Sequence, residues 1–164
     1  MFEIAFVAPQ IAPNTGNAIR LAAATGCRLH VIGPLGFEMS DARLRRAGLD
    51  YHELAQVVLH HDMTAAWTAF EGRRVFAFTG GSTRSYADVR YEPGDVLMFG
   101  TERTGLSRDV LEDRRITERV RLPMLPGLRS LNLANAAAIA VYEAWRQQEF
   151  AGEAGSGADD GRFS

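Results

Sequence analysis

Short apolar runs separated by polar, glycine- or proline-bearing stretches recur along the chain at Glu3–Ala8, Leu29–Ile32, Gln56–Leu59, Arg74–Thr79, Asp95–Phe99 and Arg119–Leu122. Each is followed by turn residues or by a stretch of helical spacing, so the pattern predicts strands alternating with helices, an α/β fold. Runs such as VFAFT and VLMF are apolar at almost every position. Strands covered on both faces by helices read this way, which predicts a mainly parallel sheet with helices on both faces.

Polar residues at the edges of the helical stretches predict where the helices begin and end. Asn14 is placed as an N-cap after Pro13, and Gly26 as the residue just past the end of the same helix. Ser40 or Asp41 is expected to cap the arginine-bearing segment DARLRRAG, Asp62 the Trp67 helix, and Ser107 a short helix over Asp109–Asp113. The longest helical pattern starts at Ser130 and runs LNLANAAAIAVYEAWRQQ, with six alanines that permit close approach to another backbone. Ser130 reads locally as its N-cap. No internal repeat is visible, and residues 151–164 are small, polar and aperiodic, a tail expected to be disordered.

At 164 residues the chain predicts one domain, residues 1–150, followed by that tail. All 18 basic residues are arginine, which excludes Schiff-base chemistry and the lysine-bearing phosphate loop. The net charge of -2 shows no global basic excess, so any nucleic-acid contact is local. Arg43, Arg45 and Arg46 form one such patch, read either as a solvated, salt-bridged surface or as phosphate contacts. The single Cys27 allows no internal disulfide and, with four histidines, no multi-cysteine zinc site, so no metal is expected and the setting is read as cytoplasmic. His60 and His61 are read as part of a solvated loop. No run reaches membrane-spanning length.

Three polar clusters fall at strand ends or helix starts, where the loops of an open α/β sheet converge. PNTGNAIR (13–20) puts Asn17 and Arg20 on one helical face, with Asn14 and Thr15 near the amino end. FGTERTGL (99–106) follows a strand with Gly100, Glu102 and Arg103. LPMLPGLRSLNLAN (122–135) leads from a strand to Arg129, Ser130 and Asn132. The dinucleotide-binding fingerprint, the GxSxG elbow and the HExxH zinc motif are all missing.

The order NTGNxxR, then FGxE followed by GL, then LPM, RSLNLxN and VYEAWRQ resembles the TrmL (YibK) group of SPOUT methyltransferases. Further likeness at Gly36-Phe37, at RLRRAGLDYHE (43–53) and in the strand before Thr79 extends the resemblance over roughly residues 2–150. It implies an α/β domain with a deep C-terminal trefoil knot, S-adenosylmethionine as cofactor, and a homodimer whose active site is built from both subunits. It also implies methylation of the ribose 2′-hydroxyl of tRNA nucleotide 34, cytidine or uridine, in the anticodon loop. On this resemblance the cofactor site falls on Phe78, Thr79, Gly100, Leu122, Met124 and Ser130, and the catalytic site on Asn14, Arg20, Glu102, Ser130 and Asn132. Family members commonly read FGPExRGL where this chain has FGTERTGL, so the arginine has moved one place.

The expected reaction is in-line attack of the 2′-oxygen on a sulfonium methyl, so the protein mainly aligns the atoms and helps the hydroxyl lose its proton. A guanidinium is effectively always protonated in proteins. Arg20 is therefore expected to stabilise the developing alkoxide or the adjacent phosphate, with Ser130 and Asn132 orienting ribose and cofactor. Two other readings of the same residues are a knotted RNA-binding protein without turnover, suggested by the TERT loop, and a SPOUT methyltransferase acting on ribosomal RNA.

Overall fold

Each of the six apolar runs forms a strand in a computed structural model that describes residues 1–46, 48–54 and 56–155. These are β1 (Glu3–Val7), β2 (Arg28–Ile32), β3 (Val57–His60), β4 (Val75–Phe78), β5 (Val96–Phe99) and β6 (Glu118–Val120). All pair in parallel, in the order β3-β2-β1-β5-β4-β6. The helices are α1 (Ala12–Thr25), α2 (Asp41–Arg46), α3 (Tyr51–Leu54), α4 (Met63–Ala69), α5 (Arg108–Leu111) and α6 (Leu133–Arg146).

Side chains alternate across a strand, so runs that are apolar throughout supply two cores. Ile4, Phe6, Phe76, Phe78, Leu97 and Phe99 pack on one face with α1 and α6. Ala5, Val75, Ala77, Val96 and Met98 face the other way, against Ala66, Trp67 and Phe70 of the α4 region and Val110 of α5. The alanines of α6 serve the first core, where Ala137, Ala140 and Ala144 are fully buried alongside Ala18 and Ala22 of α1. Side chains this small let two helices meet closely within the chain. The outer side of α6 carries exposed Ile139 and Tyr142.

Several helix ends fall where the sequence puts them. Asp62 accepts from the Ala65 amide at 2.9 Å, Ser107 from that of Val110 at 3.4 Å, and Gly26 ends α1 in the left-handed conformation at φ 68°. Two do not. Ile11, without a side-chain cap, precedes α1, and Asn14 lies buried inside its first turn. Asn132, not Ser130, caps α6, accepting from the Ala134 and Asn135 amides at 2.9 and 3.2 Å. Asn14 and Asn132 are engaged with each other across the fold, Asn132 Nδ2 donating to Asn14 Oδ1 at 2.8 Å, while the cap that Asn132 makes on α6 is a local contact. At the other end of α6, Trp145 Nε1 donates to the Ala151 carbonyl at 3.1 Å; of the expected tail, residues 156–164 lie outside the described residues.

The chain runs outward from β1 through β2 to β3, crosses to β4, and returns to fill the gap beside β1 with β5. Helix α1 leaves β1 toward one face and α5 leaves β5 toward the other. At such a switch point the loops part and open a crevice at the carboxyl ends of the strands.

The expected solvated His60–His61 loop holds for only one of the pair. His61 is exposed, but His60 ends β3 with its Nε2 2.7 Å from Nδ1 of His30, whose Nε2 is 2.8 Å from Glu3 Oε2. Phe70 packs edge-on against both imidazoles. Burial pushes the Glu3 carboxyl up, but the His30 contact, with Arg73 and Arg28, outweighs it and leaves the group below its ordinary value. Burial, then the proximity of His30, holds the His60 imidazole below its usual pKa. Two protonated rings would set N–H against N–H across the 2.7 Å contact.

The sign of the pH dependence follows. The contribution of His60 is present in full above its unfolded value of 6.5 and is lost as pH falls through the depressed folded value. Melting temperatures recorded from pH 8 to pH 5 should fall below about pH 6.5 in the natural protein and fall less steeply in His60→Gln. Equal slopes for the two proteins would contradict this account of the cluster.

Candidate active site

At the carboxyl edge of the sheet the end of β5 needs a glycine. A Cβ on Gly100 would run into the backbone of Gly105 and Leu106, because the loop after β5 folds straight back on itself. Thr101 and Gly105 exchange backbone hydrogen bonds at 3.2 and 3.0 Å, and the Thr101 and Thr104 hydroxyls meet at 2.7 Å. This tight turn aims Glu102 at the start of α1. Its carboxylate accepts from the Gln10 amide at 2.8 Å, the Ile11 amide at 3.0 Å and Asn14 Nδ2 at 3.2 Å. Glu102, 91 and 92 positions away, thus meets the two backbone amides that lead into α1, where Ile11 provides no side-chain cap.

Asn14 passes the connection on. Its Oδ1 accepts from Asn132 Nδ2 at 2.8 Å, while Asn132 Oδ1 caps α6. Glu102, Asn14 and Asn132, three of the five expected catalytic residues, therefore form one hydrogen-bonded chain that ties the β5 loop to the first turns of α1 and α6. Burial pushes the Glu102 carboxyl up, but its backbone and Asn14 hydrogen bonds outweigh this and leave it below its ordinary value. A carboxylate held by three donors stays ionised and is a poor proton acceptor, so its part in this geometry is to position.

Beside this chain of contacts lies a cavity of about 300 Å³. Phe78 and Phe99, stacked at 4.5 Å between ring centres, stand at the ends of β4 and β5. Phe78, Thr79, Gly100, Leu122, Met124 and Ser130, the six residues the resemblance implies for the cofactor, all line it, and so does Glu102. Sequence reasoning passed over Leu131, Leu133 and Ala136, which complete an apolar wall. Leu133 and Ala136 lie about one turn apart at the start of α6 and Leu131 just before it, a pattern that signals an apolar face but not what faces it. The loop over the cavity exposes Leu125 and Leu128.

Arg20 is not among these residues. It lines a second cavity, of about 310 Å³, between α1 and the segment from Phe37 to Leu49. Its side chain is half exposed, with Nε 4.0 Å from Glu53 Oε1. Within one chain, the expected catalytic residues therefore fall into the hydrogen-bonded Glu102, Asn14 and Asn132 beside the first cavity, Ser130 in its lining, and Arg20 at the second.

Comparison with known proteins bears on this arrangement. A family model described as the SpoU rRNA Methylase family matches residues 1–142. The chain belongs to the SpoU rRNA methylase family. Among its relatives, a tRNA (cytidine(34)-2′-O)-methyltransferase from Polaromonas sp. is 54% identical over 158 residues, covering 93% of this chain and 94% of that one. A protein of the same name from Escherichia coli K12 is 49% identical over 152 residues, covering 93% and 97%.

Solved structures extend the likeness of this SpoU methylase to the fold. One, reported as structural insights into the 2-OH methylation of C/U34 on tRNA, is 43% identical, covers 91% of each chain and has a TM-score of 0.81. Another, the SpoU methyltransferase AviRb from Streptomyces viridochromogenes in complex with AdoMet, is 25% identical, covers 92% of this chain and 58% of that one, and has a TM-score of 0.75. Among the described residues of this SpoU methylase no helix is long and apolar enough to cross a membrane, and no group of three or more acidic, histidine or cysteine side chains is disposed to hold a metal ion.

Proposed function

We propose that the protein transfers the methyl group of S-adenosylmethionine to the ribose 2′-hydroxyl of nucleotide 34 of tRNA, in the cytoplasm. The observation that carries this reading is that relatives about half identical along more than nine-tenths of both chains bear that activity in their names. The cavity at the ends of β4 and β5 is the site assigned to the cofactor. Its apolar wall from Leu122 to Ala136 suits a purine, and the backbone beside Gly100 and Leu122 offers polar groups without a charge. Its volume of about 300 Å³ falls at the lower end of the range of small-molecule sites.

When bound, the cofactor supplies an activated methyl and its own leaving group. The chain's part is alignment and charge. Glu102, Asn14 and Asn132 hold the walls of the cavity in register, Ser130 orients the ribose, and Arg20 stabilises negative charge growing on the 2′-oxygen or on the neighbouring phosphate.

Because Arg20 lines the other cavity, the reading includes a homodimer in which Arg20 of one subunit serves the cofactor cavity of the other, together with the knotted C-terminal segment the resemblance implies. The apolar side chains exposed near the cofactor cavity and along α6, Leu125, Leu128, Ile139 and Tyr142, support an interface there. Titration calorimetry with S-adenosylmethionine, paired with sedimentation equilibrium, tests the reading. Saturable binding by a dimer is expected; a monomer, or no heat at millimolar cofactor, would overturn it.

A further inference from the structure

We propose that the second cavity, beside Arg20, receives the base of the target nucleotide and that Glu38 reads cytosine there. This rests on the tRNA reading above and adds to it the residues that recognise the base.

The cavity pairs a mainly apolar lining with a few polar groups, as a site for a flat, edge-polar ligand requires. Thr15, at 1% exposure, lines it, and among the described residues its Oγ1 is the buried side-chain polar atom without a hydrogen-bond partner. Burying a hydroxyl in this state costs stability unless something else completes it. Phe37 offers a half-buried aromatic ring on another wall, and Leu44 and Leu49 supply an apolar floor. A base that is out of its stack needs such a surface, and aromatic side chains provide it.

The backbone just before Phe37 is fixed. The Gly36 amide donates to the Pro9 carbonyl at 3.0 Å, and a Cβ at Gly36 would come within 2.7 Å of Gln10 Cα. The Phe37 loop is thereby seated on the turn between β1 and α1, the turn that Glu102 fixes from its other side.

The polar edge of the cavity carries both a donor and an acceptor. Glu38 Oε2 and Arg43 lie 3.2 Å apart, with side chains 66% and 60% exposed. An ion pair this wet adds little to stability. Beside a pyrimidine its two halves have different uses. A carboxylate accepts from the exocyclic amino group of cytosine, whereas the guanidinium donates to the O4 that uracil carries in its place. Arg45 and Arg46, exposed on α2, leave a cationic surface next to the cavity for the flanking phosphates.

Methyl transfer to two anticodon stem–loop RNAs that differ only in C34 or U34 tests the assignment. In Glu38→Ala the ratio of kcat/KM for C34 to that for U34 should fall about tenfold, the discrimination a base-edge contact ordinarily provides. Phe37→Leu should raise KM about tenfold for both RNAs, Phe37→Tyr should restore it, and cofactor affinity should stay constant throughout. Glu38 is exposed enough for its variant to fold, and the tyrosine variant separates loss of the aromatic face from damage to the loop. An unchanged C34 to U34 ratio, or no KM change in Phe37→Leu while the natural protein is active, overturns the base site alone. No transfer to either RNA by the natural protein overturns the tRNA reading beneath it.

Discussion

Arg20→Ala should lower kcat for methyl transfer about 10²–10³-fold, the usual loss when a preorganised donor to a developing oxyanion is removed, and should leave cofactor affinity unchanged. The two halves of this expectation come from the two cavities. Arg20 lines only the one beside Phe37, while the assigned cofactor residues line the other, so removing its guanidinium touches no cofactor contact within the chain. Arg20→Lys divides the possibilities further. If positive charge alone is required, lysine retains part of the rate; if the planar two-donor fork is required, lysine falls to the alanine level. Single-turnover kinetics with saturating cofactor, alongside calorimetry, reads both. Loss of cofactor binding in Arg20→Ala would contradict the separation of the two sites.

The second large effect belongs to Gly100→Ala. A methyl group there meets the backbone of Gly105 and Leu106, not the end of a flexible side chain, so relief requires the β5 loop to move. Overpacking of this kind costs about 3 kcal/mol, which in a domain of this size lowers Tm by about 6–12 °C. The same movement pulls Glu102 away from the amides of Gln10 and Ile11 and disturbs the wall beside Thr101 and Thr104. Cofactor affinity should therefore drop at least about tenfold, even at temperatures where the variant remains folded. Thermal melting and calorimetry on the same preparation check the pair, and a variant with natural affinity would show that the turn does not shape the cavity.

How much of this was legible in the chain depends on how local each feature is. The central strands β1, β4 and β5 could be read because they are buried on both faces and so display nearly unbroken apolar runs, whereas the edge strands β3 and β6, which keep exposed positions, are marked by shorter apolar stretches between turn residues. Asp62 and Ser107 could be read as caps because their partners lie three residues away. At α1 the deciding side chain is distant, since Glu102 closes its start from 91 positions away; at α6 two local candidates compete, and Asn132, held by Asn14, caps the helix in place of Ser130.

The same limit explains the Glu3–His30–His60 cluster. It requires three adjacent parallel strands in a particular register, and nothing in any one strand announces its neighbours. The resemblance brought together six residues that line one cavity, yet it could not say that Arg20 sits at another within the chain. Nor was the unpartnered Thr15 hydroxyl visible, since a threonine in the first turns of a helix ordinarily finds a nearby acceptor.

The central claim is that the cavity at the ends of β4 and β5 delivers a methyl group to a ribose oxygen of tRNA. Its most direct test is transfer of labelled methyl from S-adenosylmethionine to bulk tRNA lacking the modification, followed by digestion and mapping of the labelled nucleoside. The account predicts label as 2′-O-methylcytidine or a 2′-O-methylated uridine at position 34, appearing about 10²–10³-fold more slowly when Arg20 is replaced by alanine. Label on a base or at another position, or no label in tRNA, would contradict it.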